Sequence, residues 1–184
     1  MTVSRTDLGC VTGRFQPVHD QHLELIGIAL TECEHVIVAV TNPDSGARRE
    51  EAASAHRHTA AANPFTYFER SRLLTAALAG AGWAERTTVV PFDLTRPPVW
   101  PEYVPLEARQ FVRAYDDWER QKAAALEAGG YAVTVLDGDP AAKRSATDIR
   151  ALLAAGTGWR DAVPAGVAPL LDEMLAATPM AARG

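Results

Sequence analysis

The apolar positions along the chain switch between strand-like runs and helix-like spacing. Leu8-Gly9-Cys10-Val11-Thr12 is a short apolar run ending in Gly13, the pattern of a buried strand that enters a loop at once. From His19 to Cys33, the positions of Leu23, Leu25, Ile26, Ile28, Ala29 and Leu30 favour a helix. His35-Val36-Ile37-Val38-Ala39-Val40 is continuous and β-branched, as expected of a strand covered on both faces. Strand, helix and strand within about 30 residues make the βαβ unit of a parallel sheet.

Thr41 to Gly46 breaks this pattern and opens a long loop reaching Asn63-Pro64. Loops of that length in compact domains usually serve as lids or are disordered, and the Ala-rich middle of this one also suits a short helix. Phe68 to Ala79 predicts a second helix and Thr87-Thr88-Val89-Val90 a third strand. Arg96-Pro97-Pro98-Val99-Trp100-Pro101 reads as a rigid loop, because each proline fixes φ and removes a donor. Gln110 to Tyr115 fits a fourth strand, although Glu107 to Val112 fits a helix as well. Trp118 to Ala128 is a helix stopped by Gly129-Gly130, Tyr131 to Leu136 is the last strand, and Ser145 to Ala155 and Val167 to Ala177 are the remaining helices. Neither a repeat nor a linker divides the chain. The expectation is one α/β domain over residues 1–184 with a doubly wound, mainly parallel sheet.

Composition narrows the class. The chain has 184 residues, 47% hydrophobic and 22% charged, in the range of a globular protein with a substantial core. No apolar stretch approaches the roughly 20 residues of a membrane span, and the N-terminus lacks a signal peptide's apolar run. A cytoplasmic protein without a membrane partner is expected. The formal net charge of -5 argues against a nucleic-acid polymer as partner, while a small phosphate site needs only local positive charge. Cys10 and Cys33 form neither a disulfide framework nor a metal spacing and read as packing residues.

Two segments carry candidate chemistry. Gly13-Arg14-Phe15-Gln16-Pro17-Val18-His19-Asp20-Gln21-His22 follows the first strand, where ligands collect in open α/β sheets. Gly13 lets the backbone approach a ligand, and His19 and His22 share one face of the first helical turn, beside its positive end. The alternative is a pair of surface histidines near a helix cap. Lys143-Arg144-Ser145-Ala146-Thr147-Asp148-Ile149-Arg150 follows the last strand and opens a helix. Ser145 with Asp148 fits a capping box, Thr147 adds a hydroxyl, and Arg150 lies about one turn in, within reach of phosphate. An ordinary capped helix with solvated basic neighbours fits the same pattern.

Together the two segments resemble the nucleotidyltransferase superfamily marked by His-x-Gly-His and a later Ser-x-Thr-x-x-Arg. Gly13 to Pro17 followed by His19 and His22, Asn63-Pro64-Phe65-Thr66 followed by Glu69-Arg70, and the stretch from Tyr131 to about Met174 are similar to archaeal-type nicotinamide mononucleotide (NMN) adenylyltransferases. The resemblance implies a Rossmann-like fold, a nucleoside triphosphate (ATP or CTP), Mg2+, and attack by an acceptor oxygen on the α-phosphorus with release of pyrophosphate. It implies that His19 and His22 contact the phosphates, that Arg14, Ser145, Thr147 and Arg150 help hold them, and that Gly13, Phe15 and Gln16 line the nucleotide site. Catalytic roles then fall to His19, His22, Arg14 and Arg150. It leaves a homo-oligomer open and names no metal ligands.

The departures lie mainly on the acceptor side. Gln21 stands at the motif's glycine, and Asp116-Asp117-Trp118 stands where the family has Ser-Gly-Asn. The Trp associated with nicotinamide is present only as Trp100-Pro101-Glu102-Tyr103. Within the long loop, Arg57 and His58 are the candidates for holding a small anionic acceptor, with Trp118 and Arg120 beside them; a solvated mixed-charge lid is the alternative. Three functions compete: NMN-type adenylyl transfer, cytidylyl transfer to a phosphonate or other small phosphorylated metabolite, and a non-catalytic nucleotide-binding regulator.

Overall fold

The computed structural model describes residues 6–49 and 57–183, so His56 and the acidic pair Glu50 and Glu51 of the long loop lie outside the described residues. Among the described residues, five strands form one sheet: β1 (Thr6–Gly13), β2 (Cys33–Thr41), β3 (Thr87–Phe92), β4 (Arg109–Ala114) and β5 (Val133–Asp137). Their order is β3-β2-β1-β4-β5 and every pairing is parallel. The helices α1 (Asp20–Glu32), α2 (Tyr67–Gly80), α3 (Asp117–Ala128), α4 (Ala146–Ala155) and α5 (Ala168–Ala177) cover it. This is the Rossmann-like α/β arrangement.

Burial follows the period of two along each strand. In β2, Val36, Val38 and Val40 join the core under α1, α2, α4 and α5, while Ile37 and Ala39 join the core under α3. That double burial is why β2 reads as an unbroken apolar run. Cys10 and Cys33 are buried and unoxidised, as packing residues should be.

The strand–helix ambiguity at residues 107–115 resolves as strand, with Gly9, Cys10 and Val11 of β1 paired to Arg109, Gln110 and Phe111. The last strand starts two residues later than the pattern predicts. Tyr131 instead turns into the α3-side core and donates its hydroxyl to the Val104 carbonyl at 2.7 Å. The proline-rich segment winds into a 3-10 helix, Pro97–Glu102. Its Trp100 is buried against Phe92 and Tyr131, with Nε1 donating to the Asp93 carbonyl at 2.8 Å, so it serves the core. Among the described residues, no helix is long and apolar enough to cross a membrane.

Candidate active site

β1 and β4 are neighbours, yet the chain leaves β1 into α1 on one face and β4 into α3 on the other. Such a switch point opens a crevice at the carboxyl ends of the strands. A cleft of about 540 Å³ lies there. It takes residues from the β1–α1 connection, the Arg57 segment, α3 and the start of α4.

The β1–α1 loop is held by buried polar contacts. A Cβ at Gly13 would stand 2.9 Å from the Phe15 ring, so glycine is what allows that ring to fold over the strand end. Phe15 itself has φ 51°, a left-handed conformation that is uncommon outside glycine. The Gln16 amide makes a two-way pair with the Phe65 backbone, both bonds 3.0 Å. Arg70, fully buried in α2, donates to the carbonyls of Arg14 and Thr41 at 2.8 Å and of Asn42 at 2.7 Å. Burial pulls its guanidinium down to about 10. Arg70 thus takes up carbonyl groups left open where β1 and β2 end.

His19 is the N-cap of α1, and its N–H donates to Nδ1 of His22 at 3.2 Å. That bond makes Nε2 the protonated nitrogen of His22 when the ring is neutral. The two rings stack at 3.7 Å, and Phe15 meets His22 edge-on at 4.7 Å. Burial, with Arg144 adding, pulls His19 down to about 4; burial and then His19 itself hold His22 well below the ordinary imidazole value. Both are neutral near pH 7. His19 Nδ1 is buried without a hydrogen-bond partner among the described residues.

Across the cleft, Ser145 is the N-cap of α4, with its Oγ accepting from the Thr147 N–H at 3.1 Å. This differs from the expected capping box with Asp148: the cap closes one residue earlier. Arg150 differs too. It is buried, does not line the cleft, and donates to the Gln16 carbonyl and to Thr147 Oγ1, both at 3.0 Å. Its position links the two phosphate-site segments from beneath. Arg14, Phe15, Gln16, His19, His22, Ser145 and Thr147 all line the cleft.

Of the four expected acceptor residues, the fold brings two together. The Arg57 guanidinium lies 3.7 Å from the centre of the Trp118 ring. Arg57 is held by its own carbonyl, which accepts from Asn63 Nδ2 at 2.7 Å and from Arg14 Nη1 at 3.4 Å. His58 does not reach the cleft, and Arg120 turns outward to pair with Asp137 at 2.8 Å. The helix register explains the latter, since Trp118 and Arg120 cannot share a face.

Lys122, one turn beyond Trp118 on its own face, is the residue that the sequence reading misses. Its Nζ sits 5.5 Å from the same ring and donates to the Thr12 carbonyl at 3.4 Å. Burial pulls it down to about 8. Thr12 Oγ1, on the same floor, is buried with no hydrogen-bond partner among the described residues. Lys143 bridges Asp116 at 3.0 Å and Glu119 at 2.9 Å, closing the wall between the β4–α3 connection and α4.

Residues 10–152 match the family described as cytidylyltransferase-like. The chain belongs to that family. It is 35% identical over 166 residues to the phosphonoformate cytidylyltransferase of Streptomyces viridochromogenes, covering 90% of each chain. It is 30% identical over 170 residues to the nicotinamide-nucleotide adenylyltransferase of Pyrococcus horikoshii, covering 90% of this chain and 83% of that one. Among solved structures, the bifunctional NMN adenylyltransferase/ADP ribose pyrophosphatase from Francisella tularensis superposes with a TM-score of 0.69 at 16% identity. The match covers 96% of this chain and about half, 52%, of that one, and supports the fold. A second structure of that protein holds AMP and a Mn ion. As a cytidylyltransferase-like protein with such relatives, the chain is a nucleotidyltransferase that uses a nucleoside triphosphate.

Proposed function

We propose that the chain transfers CMP from CTP to a compact, multiply anionic acceptor bearing a phosphonate or phosphate, and releases pyrophosphate. The observation that carries this reading is the pair of cations on one indole ring, Arg57 at 3.7 Å and Lys122 at 5.5 Å. A ring capped by a guanidinium offers charge where a bare ring would offer a stacking platform, which suits a small acid better than a nicotinamide ring. The identity with the phosphonoformate enzyme supports the same choice.

In this reading the whole chain, 1–184, works as one catalytic unit. An acceptor oxygen attacks the α-phosphorus; that P–O bond forms as the bond to the β-phosphate oxygen breaks, and pyrophosphate leaves. The chain's task is positioning and charge stabilisation, with no protein nucleophile. Neutral His19 and His22 donate hydrogen bonds to phosphate oxygens without adding fixed charge. Arg14, Ser145 and Thr147 hold the triphosphate, and Gly13, Phe15 and Gln16 shape its bed. Arg150 acts through Gln16 and Thr147 rather than on phosphate, because two of its nitrogens are already committed to them.

Mg2+ fits as an ion that arrives with the triphosphate. The described cleft lining offers two carboxylates, Asp116 and Glu119, both already bridged by Lys143, and no described cluster of three ligands exists. Phosphate and water oxygens would hold it, and when bound it would neutralise charge on the leaving pyrophosphate.

The test is pyrophosphate release from each of ATP, CTP, GTP and UTP with phosphonoformate, other small phosphonates, sugar phosphates, NMN and nicotinate mononucleotide. Turnover of CTP with a phosphonate and none with NMN is expected. ATP turnover with NMN would replace this reading by adenylyl transfer, the second reading, which the Pyrococcus relative supports. Triphosphate binding without turnover on any acceptor would leave a regulator.

A further inference from the structure

Gln21 lies in the first turn of α1, between the two histidines, and its amide reaches across the mouth of the cleft. Nε2 donates to the Ala142 carbonyl at 2.7 Å, and Oε1 accepts from the Arg144 N–H at 2.7 Å. The Tyr115 hydroxyl donates to the same Oε1 at 3.4 Å. These partners lie 94 to 123 residues further along the chain. One side chain therefore ties together the connections that follow β1, β4 and β5. Glycine, the residue at this place in the His-x-Gly-His pattern, can make none of these bonds.

We propose that Gln21 is a positioning residue that fixes the width of the triphosphate site. The histidines stand on one wall, and Ser145 and Thr147 on the other. At depth the walls are joined by Arg150 through Gln16 and Thr147; at the rim they are joined by the Gln21 amide. An amide suits the task because Ala142 offers an acceptor and Arg144 a donor, a pair that only a side chain with both functions matches. Gln21 is half-buried at the cleft mouth, and the apolar core packs under α1 through Leu25, Ile26, Ala29 and Leu30 instead. Its contribution is to hold the donors at the spacing the phosphates require. The proposal rests on the reading that these two segments grip the triphosphate.

The experiment uses the full chain with Gln21→Ala, Gln21→Gly and Gln21→Glu. Alanine keeps the helix and removes the clasp, glycine restores the family's residue, and glutamate keeps Oε1 for Arg144 and Tyr115 but cannot donate to Ala142 when ionised. CTP affinity is measured without acceptor by calorimetry, together with kcat, both KM values and Tm. The expected result for Ala and Gly is a loss of about tenfold in CTP affinity and in kcat, within the roughly hundredfold reached by a 1 Å misplacement. Acceptor KM stays at the parent's value and Tm falls by a few degrees at most, more in Gly than in Ala because glycine weakens the helix. Glu keeps Tm near the parent's but does not recover CTP affinity, since its charge repels the triphosphate. CTP affinity and kcat within twofold of the parent in both Ala and Gly would overturn the proposal. So would a fall in Tm with both KM values rising together, which marks a structural role. Parent protein that binds none of the four triphosphates would overturn the underlying reading itself, and that is seen before any variant is made.

Discussion

Arg150 Nη1 donates to the carbonyl oxygen of Gln16 at 3.0 Å, across 134 residues of sequence. With Nη2 on Thr147 Oγ1, the guanidinium holds the β1–α1 loop and the first turn of α4 as one unit. Lysine at this place keeps the charge but cannot serve both partners in the same plane. Arg150→Lys should therefore lower kcat by at least about tenfold and cost about 1–3 kcal/mol of stability through the unmet carbonyl. Steady-state kinetics and urea unfolding of the same preparation check both numbers.

On the proposed function, Lys122 belongs to the acceptor side. Lys122→Gln should raise the acceptor KM by about tenfold or more, the loss of one charge-assisted contact, and leave the CTP KM unchanged. Because burial has pulled Lys122 down to about 8, its positive charge is present below that pH and lost above it. The acceptor KM of the parent should rise as pH passes through about 8, and the variant should lack that limb. An identical pH profile in the two proteins would remove Lys122 from the acceptor site.

Arg57 and Trp118 should behave as one unit. Arg57→Ala and Trp118→Ala should each weaken acceptor binding by about 0.5–2 kcal/mol, and the double variant should cost less than their sum. A double-mutant cycle on acceptor KM reads the coupling directly.

His19 makes stability pH-dependent. Its folded-state value of about 4 lies below the ordinary 6.5, so between those values the unfolded chain binds the extra proton. Stability therefore rises with pH across that window and is lost as pH falls from about 6.5 to about 4, by about 3 kcal/mol for this group. Melting curves from pH 4 to 7 should show the slope, and His19→Asn should reduce it while the buried His22 keeps part of it.

Arg70→Met keeps the apolar stem and removes every donor. The carbonyls of Arg14, Thr41 and Asn42 lose their partner together. A loss of about 3 kcal/mol or more is expected in equilibrium unfolding, among the larger effects of a single substitution.

The sheet was legible because its strands are local: β2 and the run ending at Gly13 announce themselves by burial on both faces, and the helices by spacing and caps. The two segments proposed to hold phosphate were legible as segments for the same reason, each being a contiguous run after a strand, and the fold brings both to one cleft. What the sequence hid depends on long-range contact. Nothing local tells that Arg150 turns toward Gln16 or that Trp100 belongs to the core. Lys122 was within reach: its spacing of four from Trp118 put both on one helical face. It was passed over because a lysine in the second turn of a polar helix ordinarily points to water.

The buried ties among Gln16, Phe65, Arg70 and Arg150 belong to the frame of the sheet, whereas Arg57 and Trp118 stand at the edges of two connections. On the proposed function, acceptor preference is thereby separable from the frame of the fold. Exchanging the segment from Arg57 to Ala62 together with the exposed positions of the first two turns of α3 would leave the Gln16, Phe65, Arg70 and Arg150 ties and the strand register in place, provided the buried Ala62, Glu119 and Ala123 are kept. If the proposed acceptor site is right, a lineage or a protein engineer could trade one acceptor for another with little disturbance of the frame, in keeping with relatives named for phosphonoformate and for a nicotinamide nucleotide.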